Sequence, residues 1–383
     1  MKFFTDKIKI NRNEFSGSFG DIGTDLPLII AMLAATDLKS SSVLIIFGVM
    51  QIITAFLYGI PMPVQPLKAV ATIVIAQKIS SGVIFGGGLA IGIIMLILTL
   101  TGLLTYLGKV IPKTVIRGIQ FGLGLKLALL ALKDYIPYIG FSGYILSIIA
   151  FFIGIALIGN KKYPPAIFII VLGLMYTIFF NVEIFDIVKF TPPNFSIPEI
   201  TFDNILTGFL LLALPQIPLS LGNSIFATSQ LVNDYFPEKK ISIKKIGLTY
   251  SIMNIVTSIL GGIPICHGSG GIAGHYTFGG RTGGSTLIYG AFYLLLGLFF
   301  SLQPSNVFEI FPQPILGVIL LFEGITLILL IKDIIIDKKH FFIAIIVGIL
   351  ANRVQYGFLI GMIIGVLLYY IPKNLILKNF GKE

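Results

Sequence analysis

The chain has no tryptophan, one cysteine and three histidines, and charged side chains make up 11% of its 383 residues. The single cysteine, Cys266, excludes an internal disulfide, and no Cys/His spacing fits a metal site. So little charge excludes an ordinary soluble domain, which carries roughly 25% charged residues. No run shows the sustained polar/apolar alternation that a lipid-facing β-barrel requires. No segment is polar and long enough for a separate soluble domain. The opening residues, MKFFTDKIKINRNE, lack the small-residue cleavage site of a removable signal peptide. No nucleophile–base pair or metal cluster marks an enzyme, and no cofactor is expected.

What remains is apolar. Hydrophobic residues make up 56% of the chain and its mean hydropathy is +0.97. Stretches of about 20 apolar residues, the length that crosses a bilayer, recur from end to end. They are expected at 15–36, 42–59, 62–79, 82–107, 112–132, 142–159, 164–181, 204–231, 243–261, 264–279, 284–302, 312–331, 340–352 and 355–371. The expected fold class is therefore an all-α integral membrane protein of about 14 transmembrane spans.

The net charge of +10 invites a nucleic-acid partner, but its distribution excludes one. With the N-terminus inside, 20 of the Lys and Arg residues fall on cytoplasmic segments and 5 on external ones. That is the bias of a multi-pass protein of the cell membrane with both termini cytoplasmic. The longest external loop, 181–203, holds Glu183, Asp186, Glu199 and Asp203 against Lys189.

The two halves match locally. IPKTVIRGIQFG at 111–122 resembles FPQPILGVILLFEG at 311–324, aligning Pro112 with Pro312, and the helices end LKDY at 132–135 and IKDI at 331–334. Two broken segments align Ile60-Pro61 with Ile263-Pro264, an offset of 203. Residues 1–200 and 201–383 are thus expected to be two repeats of seven spans. An odd number inserts the second copy upside down, giving a 7+7 inverted repeat. Helix breakers at membrane depth are tolerated where the freed backbone faces protein or a polar cavity. A matched pair of them points to a transporter's binding site.

In PMPVQPLKA (61–69), Pro66 suits the first turn of a half-helix beginning near Gln65. Lys68 lies in that first turn, a poor place for a cation unless an anion is near. The alternative is a proline kink with Lys68 reaching an interface. In the counterpart, GGIPICHGSGGIAGHYTFGGRTGGS (261–285), Gly268, Gly270 and Gly271 leave amides accessible to an anion, with Ser269 and His267 as further donors. Small-residue helix packing is the alternative there. His275 suits a structural or gating role better than a ligand, and Cys266 a buried filler. In the first span Glu14 sits at the mouth, while Asp21 and Asp25 share one helical face. These carboxylates either bind a coupling proton or cation or pair with Lys68, and Asp21 has a helix cap as its alternative. The eighth span carries the polar set Gln216, Ser220, Asn223, Ser224 and Thr228, of which Ser220, Asn223 and Ser224 recur at helical spacing as one stripe; interhelical hydrogen bonding is the alternative there. Glu323, in the twelfth, is either a second proton carrier or the ion-pair partner of Lys126 or Arg117.

GDIGTDLP (20–27), PMPVQPLKA (61–69), LPQIPLSLGNSIFAT (214–228) and PICHGSGGIAGHYTFGGRTGGS (264–285) together resemble the molybdate transporter family, a short branch related to the sulfate permeases. The resemblance implies a secondary active carrier for tetrahedral oxyanions in the lipid bilayer, molybdate first, with sulfate and tungstate as relatives. It implies the fold shared by sulfate and uracil permeases, with inverted repeats and core and gate subdomains. It carries substrate contacts onto Gln65, Lys68, His267, Gly268, Ser269 and Gly270, and a motif role onto Asp21. Asp25 departs from the family pattern, which usually has an apolar residue there. The cytosolic STAS domain of larger sulfate permeases is expected to be absent, and regulation through it with it. A sulfate or nucleobase carrier on the same scaffold and an anion channel remain alternatives. A homodimer is left open.

Overall fold

The computed structural model describes residues 7–104, 106, 112–157, 165–180, 197–239, 241–299, 312–354 and 356–372. Glu183, Asp186 and Lys189 of the acidic loop lie outside these. In chain order the helices are α1 (Arg12–Ser18), α2 (Ile22–Ala35), α3 (Ser40–Tyr58), α4 (Lys68–Gln77), α5 (Ser81–Leu100), α6 (Lys113–Tyr135), α7 (Phe141–Leu157), α8 (Pro165–Phe180) and α9 (Phe202–Tyr235). After them come α10 (Ile243–Leu260), α11 (Ser269–Thr277), α12 (Gly283–Phe299), α13 (Gln313–Ile334), α14 (Lys338–Arg353) and α15 (Gly357–Tyr370). Two three-residue strands, β1 (Val64–Pro66) and β2 (Ile265–His267), precede α4 and α11.

Five helices, α3, α5, α6, α9 and α13, are long and apolar enough to cross a membrane. Their outer faces and those of the shorter helices carry exposed apolar side chains such as Ile97, Phe152 and Leu367, as a lipid-facing surface requires. The first expected span is two helices rather than one, broken at residues 19–21. The eighth runs unbroken as α9. Pro215 and Pro218 withhold backbone donors inside it, and wide turns at Phe209–Ala213 and Ser220–Ala227 absorb the mismatch.

Helix ends explain much of the layout. α3 and α10 both stop at a glycine in the left-handed region, Gly59 (φ 63°) and Gly261 (φ 82°), where other residues are strained. The last carbonyls of α3 are covered by three lysines: Lys7 donates to Phe56 O, Lys245 to Leu57 O and Lys239 to Gly59 O. Cations at a helix C-terminus complement its dipole.

The helices pack in two groups. In one, α3 packs with α12, and α5 with α9 and α10; in the other, α6 packs with α13, α14 and α15, and α13 with α7. α6 and α13 approach through glycine: a side chain on Gly124 would strike Gly324 O at 2.4 Å, and one on Gly324 would strike Gly124 O at 2.7 Å. Small residues permit such close backbone approach where lipid supplies no hydrophobic drive. The helix α4 lies between the groups, touching α9 of the first and α6 of the second; α9 itself reaches α6 and α15, and α2 packs on α4, α8 and α13.

Candidate functional site

The two broken segments meet. β1 and β2 pair antiparallel, with Val64 opposite His267, Gln65 opposite Cys266 and Pro66 opposite Ile265. Backbone this deep must find partners within the protein, and two side-chain amides supply them. Gln51 accepts from Val64 N (2.8 Å) and donates to Val64 O (2.7 Å), and Asn254 accepts from Ile265 N (3.0 Å) and donates to Ile265 O (2.7 Å). Leu67 N donates to Pro264 O at 3.1 Å. Pro66 therefore lies in the strand, and α4 starts at Lys68 rather than near Gln65 as expected.

Strand side chains alternate between faces, so Gln65 and Cys266 share one face and Val64 and His267 the other. The Gln65 face lines a cavity of about 30 Å³ with Lys68, Gln120, Gln216, Asn223 and Ser224. Such a volume holds about two waters. Lys68 and Gln65 are thus brought together. His267 is turned away: its Nδ1 lies 3.3 Å from Pro63 O, its Nε2 3.3 Å from Thr249 Oγ1, and its ring meets Tyr58 edge-on. Its placement is that of a strut between α3, α10 and the strands.

The two half-helix ends differ. At α4, Gln216 Oε1 accepts from Ala69 N (3.0 Å) and Val70 N (3.3 Å), while its Nε2 donates to Ser220 Oγ at 3.0 Å, itself 2.7 Å from Tyr250 Oη. A side-chain oxygen already sits where the helix end would receive an anion. At α11, Ser269 Oγ donates to Asn223 Oδ1 (2.9 Å), and Gly270 is exposed, with nothing within 4 Å of where a Cβ would lie. That end is open. Gly268 serves a different purpose, since a Cβ there would fall 1.5 Å from Gln65 Oε1.

The charged groups also pair otherwise than the sequence suggested. Glu323 bonds neither Lys126 nor Arg117: Lys68 Nζ reaches its Oε1 at 2.6 Å, with the two side chains 30% and 14% exposed. Arg117 binds Asp333 and Gln120, and Lys126 lies over the Phe358 ring. Asp21 stands at the N-cap position of α2 but its side chain makes no cap. Its Oδ2 accepts from Gln65 Nε2 at 2.6 Å instead. Tyr289 Oη donates to Asp25 Oδ2 at 3.2 Å, and His275 meets the Tyr289 ring edge-on and Ser285 through Nδ1. Glu14 is a buried cap whose carboxylate accepts from the backbone N–H groups of Arg281, Thr282 and Ser285 at 2.9–3.0 Å.

Sequence reasoning listed Gln216 and Asn223 among the polar residues of the eighth span without giving either a role at the half-helix ends. The available signal was position: Gln216 is the lone polar residue in the run LLLALPQIPL.

A family model described as "Molybdate transporter of MFS superfamily" matches residues 13–127 and 208–327. Molybdate transporter 1 of Arabidopsis thaliana is 32% identical, across 96% of this chain and 89% of its own length. Molybdate transporter 2 of the same plant is 32% identical, across 93% and 87%. Among solved structures, the transmembrane domain of the cyanobacterium bicarbonate transporter BicA superposes with a TM-score of 0.66 at 17% identity, covering 94% of this chain and all of that one. The murine Solute Carrier 26 family member A9 anion transporter in its inward-facing state gives 0.70 at 12%, over 94% and 68%. At these identities the structural likeness shows the fold alone.

Proposed function

Because the chain belongs to the molybdate transporter family, we propose that it carries a tetrahedral oxyanion, molybdate first, through a site between the amino ends of α4 and α11. The chain is a multi-pass membrane transporter and not an enzyme. One observation carries the assignment of the site: an open helix N-terminus at Ser269–Gly270 lies beside Asn223, which lines the same polar cavity as Lys68. Amides at a helix N-terminus and a buried-side cation together suit a small dianion.

The cradle is uneven. α11 offers free amides and the Ser269 hydroxyl, while α4 contributes Lys68 and, behind it, the Gln216 cap. Gln65 and Gly268 hold the two breaks against each other, and His267 supports the strands from behind. The site is exposed alternately to each side as one helix group moves against the other, the α6/α13 group acting as gate. The matched elements support two inverted repeats of seven spans, 1–200 and 201–383. Val64 corresponds to Ile265 and Lys68 to Ser269, an offset of 201 in both, and the strands pair symmetrically about Gln65 and Cys266. The offset of 203 from the Ile-Pro pairs is two residues too long for the strands.

Uptake of an anion into a negative-inside cell is opposed by about 2.3 kcal/mol per charge per 100 mV. A coupling proton or cation is therefore part of the proposal, with Asp21, Asp25 and Glu323 as the candidates to carry it. Binding of purified protein to molybdate, tungstate, sulfate and uracil, repeated with Lys68→Ala and Ser269→Ala, tests the site. Molybdate binding lost in both variants is the expected result; uracil binding, or molybdate binding indifferent to both, overturns it. Non-saturating flux without exchange would identify an anion channel, and accumulation unchanged by a proton ionophore would remove the proton.

A further inference from the structure

We infer that Glu323 is a tethered competitor of the transported anion: its carboxylate holds the Lys68 ammonium, and one proton taken up by Glu323 transfers that ammonium to the substrate. The inference rests on the oxyanion assignment above and deepens it by naming the group through which binding takes up a proton.

Three observations lead to it. Lys68 is the first residue of α4 and lines the cavity beside Asn223, yet its Nζ is 2.6 Å from Glu323 Oε1. The gate-side carboxylate thus stands on the cation that the substrate needs. Second, this ion pair joins α13 to α4, outside its own helix group, whereas the salt bridges of Lys113 and Arg117 with Asp333 and of His340 with Asp337 lie within the α6/α13/α14 group. Third, Glu323 borders a second cavity of about 100 Å³, with Thr24 and Thr326 in its lining. Those hydroxyls can accept from a protonated carboxyl that has let go of Lys68.

Among the described residues, Lys68 is the cation that lines the cavity beside Asn223. From α2, Asp21 and Asp25 bring carboxyls and no cation. From α6, Lys113 and Arg117 are bound to Asp333, Lys126 lies over Phe358, and Lys133 and Asp134 line a separate cavity with Lys78. The sequences of α7 and α8 hold no Asp, Glu, Lys, Arg or His. A dianion arriving beside an ionised Glu323 would set three negative charges on one ammonium at membrane depth, where unpaired charge is most costly. With Glu323 protonated, the ammonium faces the anion alone. Releasing Lys68 also removes the salt bridge that ties α4 to α13, so the same event frees α13 to move relative to α4.

The test uses purified protein, ⁹⁹Mo-molybdate binding across pH 6–8, and proton uptake on binding in weak buffer. Wild type is expected to take up about one proton per anion and to lose affinity by up to about tenfold per pH unit as pH rises. Glu323→Gln is expected to bind about a hundredfold tighter at the alkaline end, with the slope and the proton uptake gone. Asp21→Asn should keep the uptake. Wild-type binding without proton uptake, or Glu323→Gln that keeps the wild-type slope and affinity, overturns the inference while leaving the substrate in place. If Glu323→Gln does not fold, the wild-type and Asp21→Asn proton counts still decide: uptake abolished by Asp21→Asn assigns the proton elsewhere. Wild type that binds neither molybdate, tungstate nor sulfate removes the oxyanion assignment and this inference with it.

Discussion

Replacing Gln216 by leucine keeps most of the side chain's bulk and removes the oxygen that accepts from Ala69 N and Val70 N. A buried donor left without an acceptor costs about 1–3 kcal/mol, so two cost about 2–6 kcal/mol. The neighbouring cavity, about 30 Å³, admits water that restores part of this. The net loss should be about 2–4 kcal/mol, above the ~1 kcal/mol of an ordinary N-cap substitution, because both amides answer to one oxygen. Local opening of α4 would then rise by about 30- to 900-fold at 1.4 kcal/mol per decade. Hydrogen exchange of a peptide spanning 64–77 in detergent measures it, with α5 as internal control. Gln216→Glu keeps the acceptor and should restore protection, but it places a negative charge at the α4 end and should weaken oxyanion binding by about tenfold or more. Unchanged exchange in Gln216→Leu would refute the cap. Equal oxyanion binding by the leucine and glutamate variants would remove the α4 end from the site.

Three further outcomes follow from single contacts. Gly268→Ala should displace the Gln65 amide, since the new methyl would lie 1.5 Å from its Oε1. It should thereby break the 2.6 Å bond to Asp21 and lower thermal stability by about 1–3 kcal/mol, whereas Gly270→Ala, which meets nothing, should fold normally. Glu14→Ala should strand the amides of Arg281, Thr282 and Ser285 and destabilise the α12 end by about 2–4 kcal/mol, with Glu14→Gln partly restoring it in the same melting assay. Asp37, between α2 and α3, is pushed up by partial burial, but its bonds to the Ser81 hydroxyl and amide outweigh this and hold its carboxyl below the usual value. A depressed folded value gives stability that is present above the ordinary Asp range near 3.9 and is lost as pH falls through the folded value. Melting of wild type and Asp37→Ala should therefore differ at neutral pH by about 0.5–2 kcal/mol and converge in acid.

Proline and glycine made the two breaks legible, because no helix passes through Pro61, Pro63 and Pro66 or through Gly268, Gly270 and Gly271 without losing bonds. The first turn of α4 was read too early because Pro66 suits both a strand end and a helix start. The bond from Leu67 N to Pro264 O, between segments about 200 residues apart, decides for the strand. The repeat offset was misread for a similar reason. Matching the letters Ile-Pro slides the second copy, since the chain takes five residues from Gly59 to Val64 and four from Gly261 to Ile265. His267 looked like a donor to substrate until strand alternation turned it from the face that Cys266 shares with Gln65. The Glu323–Lys68 pair was out of reach altogether: its members are 255 residues apart, and no local pattern marks a carboxylate's partner across a bundle.

The unequal ends of α4 and α11 bear on how a symmetric scaffold holds an asymmetric load. If both ends offered free amides, two dipoles would trap a dianion from opposite sides, and a deep trap releases slowly. Here one end is closed by Gln216 and the neighbouring cation is held by Glu323, so full attraction requires that Lys68 first be released. The open end at Gly270 can meet the anion while the closed one governs how tightly it is kept. Tight binding would then depend on the state of one ion pair that also ties α4 to α13. On that account Glu323→Gln should uncouple retention from movement, giving a protein that binds molybdate more tightly yet turns over more slowly in proteoliposome exchange. Faster exchange together with tighter binding would show that release is limited elsewhere.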